Sequence, residues 1–272
     1  MMRIAVISSK VNSIASEMMK ELTGKGFKVR LICPEKQVTN LSKIRIEDDL
    51  YIIKSVGHLG LGLAGALHSA GANMLNPYPT VALIKHKMVI TQILLSAGVP
   101  VPETFTATDP QQFLPLLESQ TLIAKPFDGN RGKGIQIIRT PDELMNAQFG
   151  EFLMVQRFCQ PDEPDRFIKA YYLDGQIFLI KRWWSNTKHY GKEGEPLEAT
   201  VALTNIVTRC AEFLDLKLFG LDIVISQGKP YVVDIQEFGS FAGVPKASTL
   251  LAEFISAHLR SILLNQSDRP IL

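Results

Sequence analysis

The chain has 272 residues, of which 46% are apolar and 21% are charged, and its formal net charge is +2. This length and composition predict a globular protein of one or two domains, without the strong basic field of most nucleic-acid-binding proteins. The three cysteines form no C-x-x-C pair, which argues against a zinc site and a disulfide framework. The N-terminal apolar run is too short for a signal peptide, and the Gly/Ala-rich residues 55–75 fall short of a membrane span. We therefore expect a cytoplasmic protein without nucleic-acid or membrane partners.

The first eighty residues predict a small parallel sheet. RIAVIS, FKVRLIC and DLYIIKS are short apolar runs typical of buried strands, and a segment with helical spacing separates the first two. A second helix is expected over 57–72, and the cluster NPYPT at 76–80 is interpreted as a turn that ends this domain. The loop SSKVNS after the first strand has no glycine, which disfavours a dinucleotide-binding start.

The middle of the chain predicts alternating helices and strands. Apolar spacing favours one helix over 81–95, followed by a strand near Thr104. Asp109 and Pro110 are typical of a helix start, and Pro115 weakens the later part of that helix.

A glycine-rich loop lies within LIAKPFDGNRGKGIQII. We interpret residues 122–125 and 135–138 as the two strands of a hairpin around this loop. The loop lacks the Ser or Thr of a P-loop, and a strand follows it where a Rossmann loop needs a helix. Two interpretations stay open for the loop alone: a glycine lid over a polyphosphate, with Lys125 neutralising charge, or a solvent-exposed turn.

The C-terminal part predicts two hairpins and two helices. After the strand EFLMVQRF, a first hairpin turns at Asp174-Gly175 and a second at Gln227-Gly228. Helices are expected over 198–214 and 246–264.

The second hairpin carries candidate metal ligands. Asp234 and Gln236 are two apart in one strand and so share a face, and the hairpin can place Asp222 beside them. Two carboxylates and a carboxamide supply the oxygen ligands that Mg²⁺ takes together with substrate phosphates. A pair of strand-end aspartates without a metal is the simpler alternative.

Taken together, these segments resemble the ATP-grasp superfamily along the chain. KHKMVITQILLSAGVPVPETF resembles its lysine-bearing helix, AKPFDGNRGKGI its lysine strand and lid, MVQRF its hinge, and FGLDIV…PYVVDIQEF its metal-binding hairpin. The nearest resemblance is to ligases of the ribosomal-protein glutamate ligase and glutathione synthetase type. The last hairpin also resembles that of inositol trisphosphate 5/6-kinases.

The resemblance implies an α/β ATP-grasp fold with a small parallel-sheet domain in front. The expected domains are an N-terminal one over 1–80, a central lid over 81–158 and a C-terminal one over 159–272 with the metal-binding hairpin. The implied ligands are ATP and one or two Mg²⁺ ions, for which Mn²⁺ could substitute. The implied site residues are Lys87 and Lys125 for the phosphates, Gly129, Gly132 and Gly134 for the lid, Gln156, Arg157 and Phe158 for the adenine, Asp165 for the ribose, Asp222, Asp234 and Gln236 for the metal, and Lys169 and Arg182 for catalysis beside the transferred phosphate.

The chain departs from the resemblance at two positions. Many ligase relatives read Glu-x-Asn where this chain reads Asp234-Ile235-Gln236, which shortens the acid and lengthens the amide by one methylene. Relatives often have an Asp where this chain has His86.

The implied reaction is ATP-dependent amide formation from a carboxylate and an amine through an acyl phosphate. The acceptor could be a small molecule, a peptide or a protein, and a homodimer could form. Two alternatives stay open: a small-molecule kinase that phosphorylates a hydroxyl, and an ATP-binding protein without catalysis. We expect RWWSNTKHYGKEGE, at 182–195, to form part of the acceptor pocket through Trp184 and Lys188, with a plain surface loop as the alternative.

Overall fold

The computed structural model describes residues 1–55, 57–125, 135–149, 153–184, 187 and 194–267. The strands within those residues form three sheets.

The N-terminal sheet is parallel and has the strand order β2-β1-β3-β4. Its elements in chain order are β1 (Arg3–Ser8), α1 (Ser13–Gly24), β2 (Lys28–Ile32), β3 (Leu50–Ser55), α2 (His58–Ser69) and β4 (Met74–Leu75). Three of these strands and both helices agree with the predictions, whereas the two-residue β4 was not predicted. The Asn12 side chain accepts a hydrogen bond from the Ala15 N–H at 3.0 Å and so caps α1.

Two helices occupy the region for which one was expected. They are α3 (Tyr78–Lys85) and α4 (Lys87–Ser96). His86 lies between them with extended backbone angles, so the single helix over 81–95 is wrong. The turn at 76–80 is also wrong in part, because residues 78–80 are the first turn of α3. Pro79 is in that first turn, where a proline suits a helix start as well as it suits a turn.

The middle sheet is antiparallel, with the order β5-β8-β6-β7. Its elements are β5 (Thr104–Ala107), α5 (Leu114–Leu117), β6 (Leu122–Ala124), β7 (Gln136–Ile138), α6 (Pro141–Met145) and β8 (Leu153–Arg157). The predicted start at Asp109 is confirmed, because its side chain caps a 3₁₀ turn that precedes α5. β6 and β7 pair as the predicted hairpin, and Lys125 lies directly after β6.

The C-terminal sheet is antiparallel, with the order β11-β10-β9-β12-β13. Its elements are β9 (Arg166–Leu173), β10 (Gln176–Trp183), β11 (Glu195–Leu197), α7 (Val201–Leu214), β12 (Leu218–Ser226), β13 (Lys229–Gln236) and α8 (Ala247–Ser267). Both predicted hairpins are present, and β11 was not predicted. The expected boundary at 80 falls within α3, and the three domain ranges stay a prediction.

Helix α8 has one stretch, Ala247–Leu264, that is long and apolar enough to cross a membrane by length and composition. The core helix of a soluble protein passes the same test, and one such helix is weak evidence of a span. Leu251, Ile255 and Leu259 of α8 are buried in a cluster with residues of β1 and β3.

Candidate functional site

One face of the C-terminal sheet gathers the candidate catalytic and metal-binding side chains. Asp222 on β12 lies opposite Asp234 on β13 and opposite Lys169 on β9. Directly opposed residues of antiparallel strands project to the same face, so these side chains form one row across three strands. Gln236 lies opposite Gly220, two residues along from Asp234, and belongs to the same face. The facing of Asp222, Asp234 and Gln236 predicted from their spacing is therefore confirmed.

Lysines from three separate elements meet this row. Lys169 contacts Asp222, with 2.5 Å between Nζ and Oδ1. Lys87, the first residue of α4, forms a short ion pair with Asp234. Lys125, at the end of β6, donates from its Nζ to the carbonyl oxygen of Val233 at 2.8 Å. The sheet face therefore concentrates cations beside two carboxylates, which suits the binding of a polyanion with its counter-ion.

Burial and neighbouring charges shift the pKa values of these groups in different directions. Burial opposes ionisation of Asp234, but the charge and hydrogen bond of Lys87 outweigh it and lower the pKa of Asp234 to about 2. Burial raises the pKa of Asp222, against the attraction of Lys169. Burial lowers the pKa of Lys125 to about 8, although Asp234 favours its charged form. Asp234 is therefore anionic at neutral pH, and Lys125 holds its proton only weakly.

The donor set in this row fits Mg²⁺. Asp222 and Asp234 offer carboxylate oxygens, and Gln236 offers an amide oxygen while its Nε2 donates to Asp234 Oδ2 at 3.3 Å. Across the part of the chain that the structure describes, no group of three or more His, Cys, Asp or Glu residues could hold a metal. An ion held by Asp222 and Asp234 would therefore need further ligands, which substrate phosphates commonly provide for Mg²⁺.

The predicted hinge residues lie on β8 and just after it. The backbone N–H groups of Arg157 and Phe158 donate to the carbonyls of Glu103 and Thr121, both at 2.8 Å. Any backbone contact from these two residues to a nucleotide would therefore use their carbonyl oxygens. Gln156 is buried, and its Nε2 donates to Thr104 Oγ1 at 2.9 Å. Its Oε1 is buried with no hydrogen-bond partner among the described residues, which leaves an acceptor for a ligand amino group.

The remaining candidates lie at the open end of the β9–β10 hairpin. Arg182 is opposite Phe167, two residues before Lys169, so it belongs to the same face as Lys169. The ring of Trp184 stacks on that of Phe167 with 4.1 Å between centroids. Asp165 is exposed, with a positive φ of 64°, and its carbonyl accepts from the Trp184 N–H at 3.0 Å. The structure does not bring Asp165 into the row of Lys169 and Asp222.

Four further candidates lie outside the described residues. They are the lid glycines Gly129, Gly132 and Gly134, and the acceptor candidate Lys188.

Sequence reasoning missed an acid and its partners directly beside the metal strand. Glu237 is 4% exposed, and its carboxylate pairs with Lys85 at 2.6 Å. Asn76 is fully buried and contacts the backbone of Glu237. The motif DIQEF shows that an acid follows Gln236, but its burial depends on residues more than 150 positions away in the chain.

A family model described as "RimK-like ATP-grasp domain" matches residues 84–252, which is more than half of the chain. The chain belongs to the RimK-like ATP-grasp family. The matched range contains every candidate site residue, from Lys87 to Gln236.

Curated relatives of this RimK-like chain are named as glutamate ligases. The coenzyme γ-F420-2:α-L-glutamate ligase of Methanococcus maripaludis is 25% identical over 182 residues, covering 62% of this chain and 64% of that relative. A probable α-L-glutamate ligase of Xylella fastidiosa is 21% identical over 225 residues, covering 77% and 74%. A probable α-L-glutamate ligase of Shewanella pealeana is 21% identical over 208 residues, and the match spans only 45% of its length.

Solved structures show the same fold over nearly the whole chain. A RimK domain ATP-grasp protein from Sphaerobacter thermophilus matches with a TM-score of 0.77 at 15% identity, covering 93% of this chain and 98% of that one. The ATP-grasp ligase PsnB, in a complex with a minimal precursor, Mg and ADP, matches with a TM-score of 0.67 at 16% identity, covering 94% and 98%. The predicted α/β ATP-grasp fold with a small parallel N-terminal sheet is therefore confirmed.

Proposed function

We propose that the chain is an ATP- and Mg²⁺-dependent carboxylate–amine ligase that forms an amide bond and releases ADP and phosphate. The observation that carries the proposal is the row Lys169–Asp222–Asp234, joined by Lys87 from a separate helix. The ligase names of the curated relatives support this reaction over a kinase.

The three lysines serve the phosphates of ATP in this proposal. Lys87 contacts Asp234 and Lys125 contacts the carbonyl oxygen of Val233, so both lysines lie against β13 and can hold phosphate oxygens by charge-assisted hydrogen bonds. Asp222, Asp234 and Gln236 would hold Mg²⁺, which, when bound, offsets negative charge on the β- and γ-phosphates. Gln156 Oε1 is suited to accept a hydrogen bond from the adenine amino group.

The reaction has two steps, and each step balances. A substrate carboxylate oxygen attacks the γ-phosphorus, the bond from that phosphorus to the β–γ bridging oxygen breaks, and ADP leaves. The amine nitrogen then attacks the acyl carbon, the bond from that carbon to the phosphate oxygen breaks and phosphate leaves, and the proton lost by the nitrogen passes to that phosphate or to water. Lys169 and Arg182 share the face on which this occurs, so they can stabilise the negative charge that develops on the transferred phosphoryl group.

The acceptor is a small-molecule amine, or a peptide or protein. Named relatives act on glutamate, and L-glutamate is therefore the first amine to test. PsnB is also solved with a precursor peptide, so a peptide pool is the second. Trp184, which is half-buried and stacks on Phe167, remains the candidate of the described residues for the wall of the acceptor pocket.

The experiment is Mg²⁺-dependent ATP consumption against pools of carboxylates with amines, of peptides, and of polyols, with products identified by mass. A product equal to two substrates less water, with one ADP and one phosphate, is the expected result. A product heavier by one phosphoryl group would instead make the protein a kinase. ATP binding without turnover in any pool would favour an ATP-binding protein without catalysis.

Two variants control this experiment. Asp234→Asn should abolish Mg²⁺-dependent turnover because it removes a ligand charge. Asp174→Asn lies at the far turn of the β9–β10 hairpin, where Asn-Gly is as favourable as Asp-Gly, and it should retain full turnover.

A further inference from the structure

Asn76 joins the two strands that carry the candidate metal ligands. It is fully buried after β4, and its Nδ2 donates to the carbonyl oxygens of Leu218 at 2.5 Å and of Glu237 at 2.6 Å. Leu218 begins β12, and Glu237 directly follows β13. One carboxamide from the N-terminal sheet therefore bridges the two ends of the hairpin.

The orientation of this amide follows from its contacts. If the amide were flipped, its oxygen would face two carbonyl oxygens, and no hydrogen bond could form. In the observed orientation, Asn76 Oδ1 is buried without a hydrogen-bond partner among the described residues. Native interiors rarely leave a buried acceptor unpaired. The two hydrogen bonds from Nδ2 must therefore stabilise the protein by more than the unpaired Oδ1 costs.

This bridge supports a hairpin whose own β12–β13 ladder is interrupted near the carboxylates. The pairing shifts register between Asp222 and Ile223, so Val233 has no opposite residue and forms a bulge. Beyond the bulge, three pairs remain, from Asp222–Asp234 to Gly220–Gln236. Asn76 adds its contacts just past the last of these pairs.

An ion pair between a half-buried lysine and a buried acid contacts the same end of β13. Lys85 at the end of α3 contacts Glu237 at 2.6 Å, and the two side chains are 34% and 5% exposed. Two residues later, Lys87 at the start of α4 contacts Asp234. The corner between α3 and α4 therefore holds two acids that are three positions apart.

We propose that Asn76 and the Lys85–Glu237 pair form a clasp that sets the separation of Asp222 and Asp234, and so the affinity for Mg²⁺ in the presence of a nucleotide. All three are positioning residues, since they act through the backbone of β12 and β13. This inference rests on the proposed function in one respect: that Asp222 and Asp234 bind the ion.

The test is a Mg²⁺ titration of ADP binding by calorimetry, with thermal unfolding measured on each variant. Glu237→Gln, Lys85→Met and Asn76→Leu should each weaken the apparent Mg²⁺ affinity about tenfold, the lower end of the range for residues that support metal ligands. ADP affinity without Mg²⁺ should change little, because none of these three residues is proposed to bind the nucleotide. The double variant Lys85→Met/Glu237→Gln should bind Mg²⁺ no more weakly than either single variant, since each change breaks the same ion pair.

An ion pair of similar exposure beside the N-terminal sheet provides the control. Arg30 and Asp48 lie 2.6 Å apart, and their side chains are 40% and 1% exposed, close to the values for Lys85 and Glu237. Asp48→Asn should lower the melting temperature at least as much as Glu237→Gln does, because Asp48 also lies 3.7 Å from Arg3, yet it should leave the Mg²⁺ affinity unchanged.

Each outcome decides between the clasp and a purely structural role. Unchanged Mg²⁺ affinity in folded Glu237→Gln and Lys85→Met would overturn the clasp. If Glu237→Gln does not fold, Lys85→Met decides alone, because its side chain is the more exposed of the pair. A wild-type protein that binds ADP no better with Mg²⁺ would overturn the proposed metal site itself, and with it the clasp.

Discussion

Lys125 is partly buried and lies beside an anionic carboxylate. Its ammonium donates to the carbonyl of Val233, the neighbour of Asp234. Burial lowers its pKa to about 8, whereas an exposed lysine titrates near pH ~10.4. A bound phosphate would favour the charged form, so nucleotide binding should be linked to protonation of this residue.

Nucleotide affinity should therefore fall as the pH rises through 8. If only protonated Lys125 binds phosphate, the affinity follows the protonated fraction of Lys125. For a pKa of about 8, this fraction falls about tenfold between roughly pH 7 and pH 9. Binding near pH 8 should also take up a proton, which calorimetry in two buffers of different ionisation enthalpy detects. The arginine of Lys125→Arg keeps its charge in this range, so the nucleotide affinity of this variant should change little with pH. Identical pH profiles for both proteins would contradict the assignment.

The Lys169–Asp222 pair should contribute to stability as well as to the site. The two side chains are 7% and 13% exposed. Asp222→Asn leaves the Lys169 charge buried without its partner and should cost about 3 kcal/mol in the free energy of unfolding. Adding Lys169→Met should recover most of that loss in denaturant unfolding, because the unpaired charge is removed. Turnover should stay abolished in the double variant; recovered turnover would mean that Asp222 is not a metal ligand.

The residue types and spacings of the site could be predicted, but the ion pairs could not. Period-two spacing placed Asp234 and Gln236 on one face, and the register confirms it. Nothing in the sequence indicates that Asp222 faces Lys169, because this contact depends on the pairing of β9 with β12. The burial of Glu237 depends on Asn76 and Lys85, which are distant in the chain.

At the scale of elements, both hairpins of the C-terminal sheet turn through two residues with positive φ. The values are 45° and 93° at Asp174 and Gly175, and 53° and 71° at Gln227 and Gly228. This conformation is typical of Asn-Gly and Asp-Gly turns, and glutamine is an unusual first residue. The carboxylate of Asp162 accepts from the N–H groups of Gln227 and Gly228 at 2.7 and 2.8 Å, which stabilises the second turn.

Gln227→Asn should stabilise the protein, because asparagine adopts the left-handed conformation at lower cost. The expected gain is about 0.5–1 kcal/mol, or about 1–3 °C in melting temperature. The hydrogen bonds to Asp162 use the backbone and are retained. The reverse change at the other turn, Asp174→Gln, should lower the melting temperature by a similar amount. A gain absent at one turn and a loss absent at the other would show that these φ values do not limit stability.

Helix and strand types could largely be predicted, whereas two helix boundaries could not. Apolar periodicity runs through residues 81–95 without interruption, so it predicts one helix. The break at His86 lies between two lysines whose side chains contact acids at the end of β13 and directly after it. The short β4 and β11 carry too few residues for any periodicity.

At the scale of the molecule, one apolar core joins the first and last parts of the chain. The largest cluster contains residues of β1, β3 and α1 together with residues of β9, β12 and α8. A contact between the side chains of Thr249 and Glu21, at 2.7 Å, adds to this junction of α8 with α1. The middle sheet has a cluster of its own, formed by Phe113, Leu122, Ala124, Ile138, Leu144 and Val155. No pattern in the sequence distinguishes a shared core from a separate one, because both need the same apolar residues.

Because the middle sheet has its own apolar core, we predict that it can unfold locally while the other two sheets stay folded. Leu144 on α6 and Leu259 on α8 are both fully buried, one in each cluster, and so form a matched pair. Each change to alanine should cost about 2–5 kcal/mol in its own cluster. Native-state hydrogen exchange should then show faster exchange only in β5–β8 for Leu144→Ala, but in both the N-terminal and C-terminal sheets for Leu259→Ala. Uniformly faster exchange across all three sheets in Leu144→Ala would show that the three sheets unfold as one cooperative unit, and would contradict separate opening of the middle sheet.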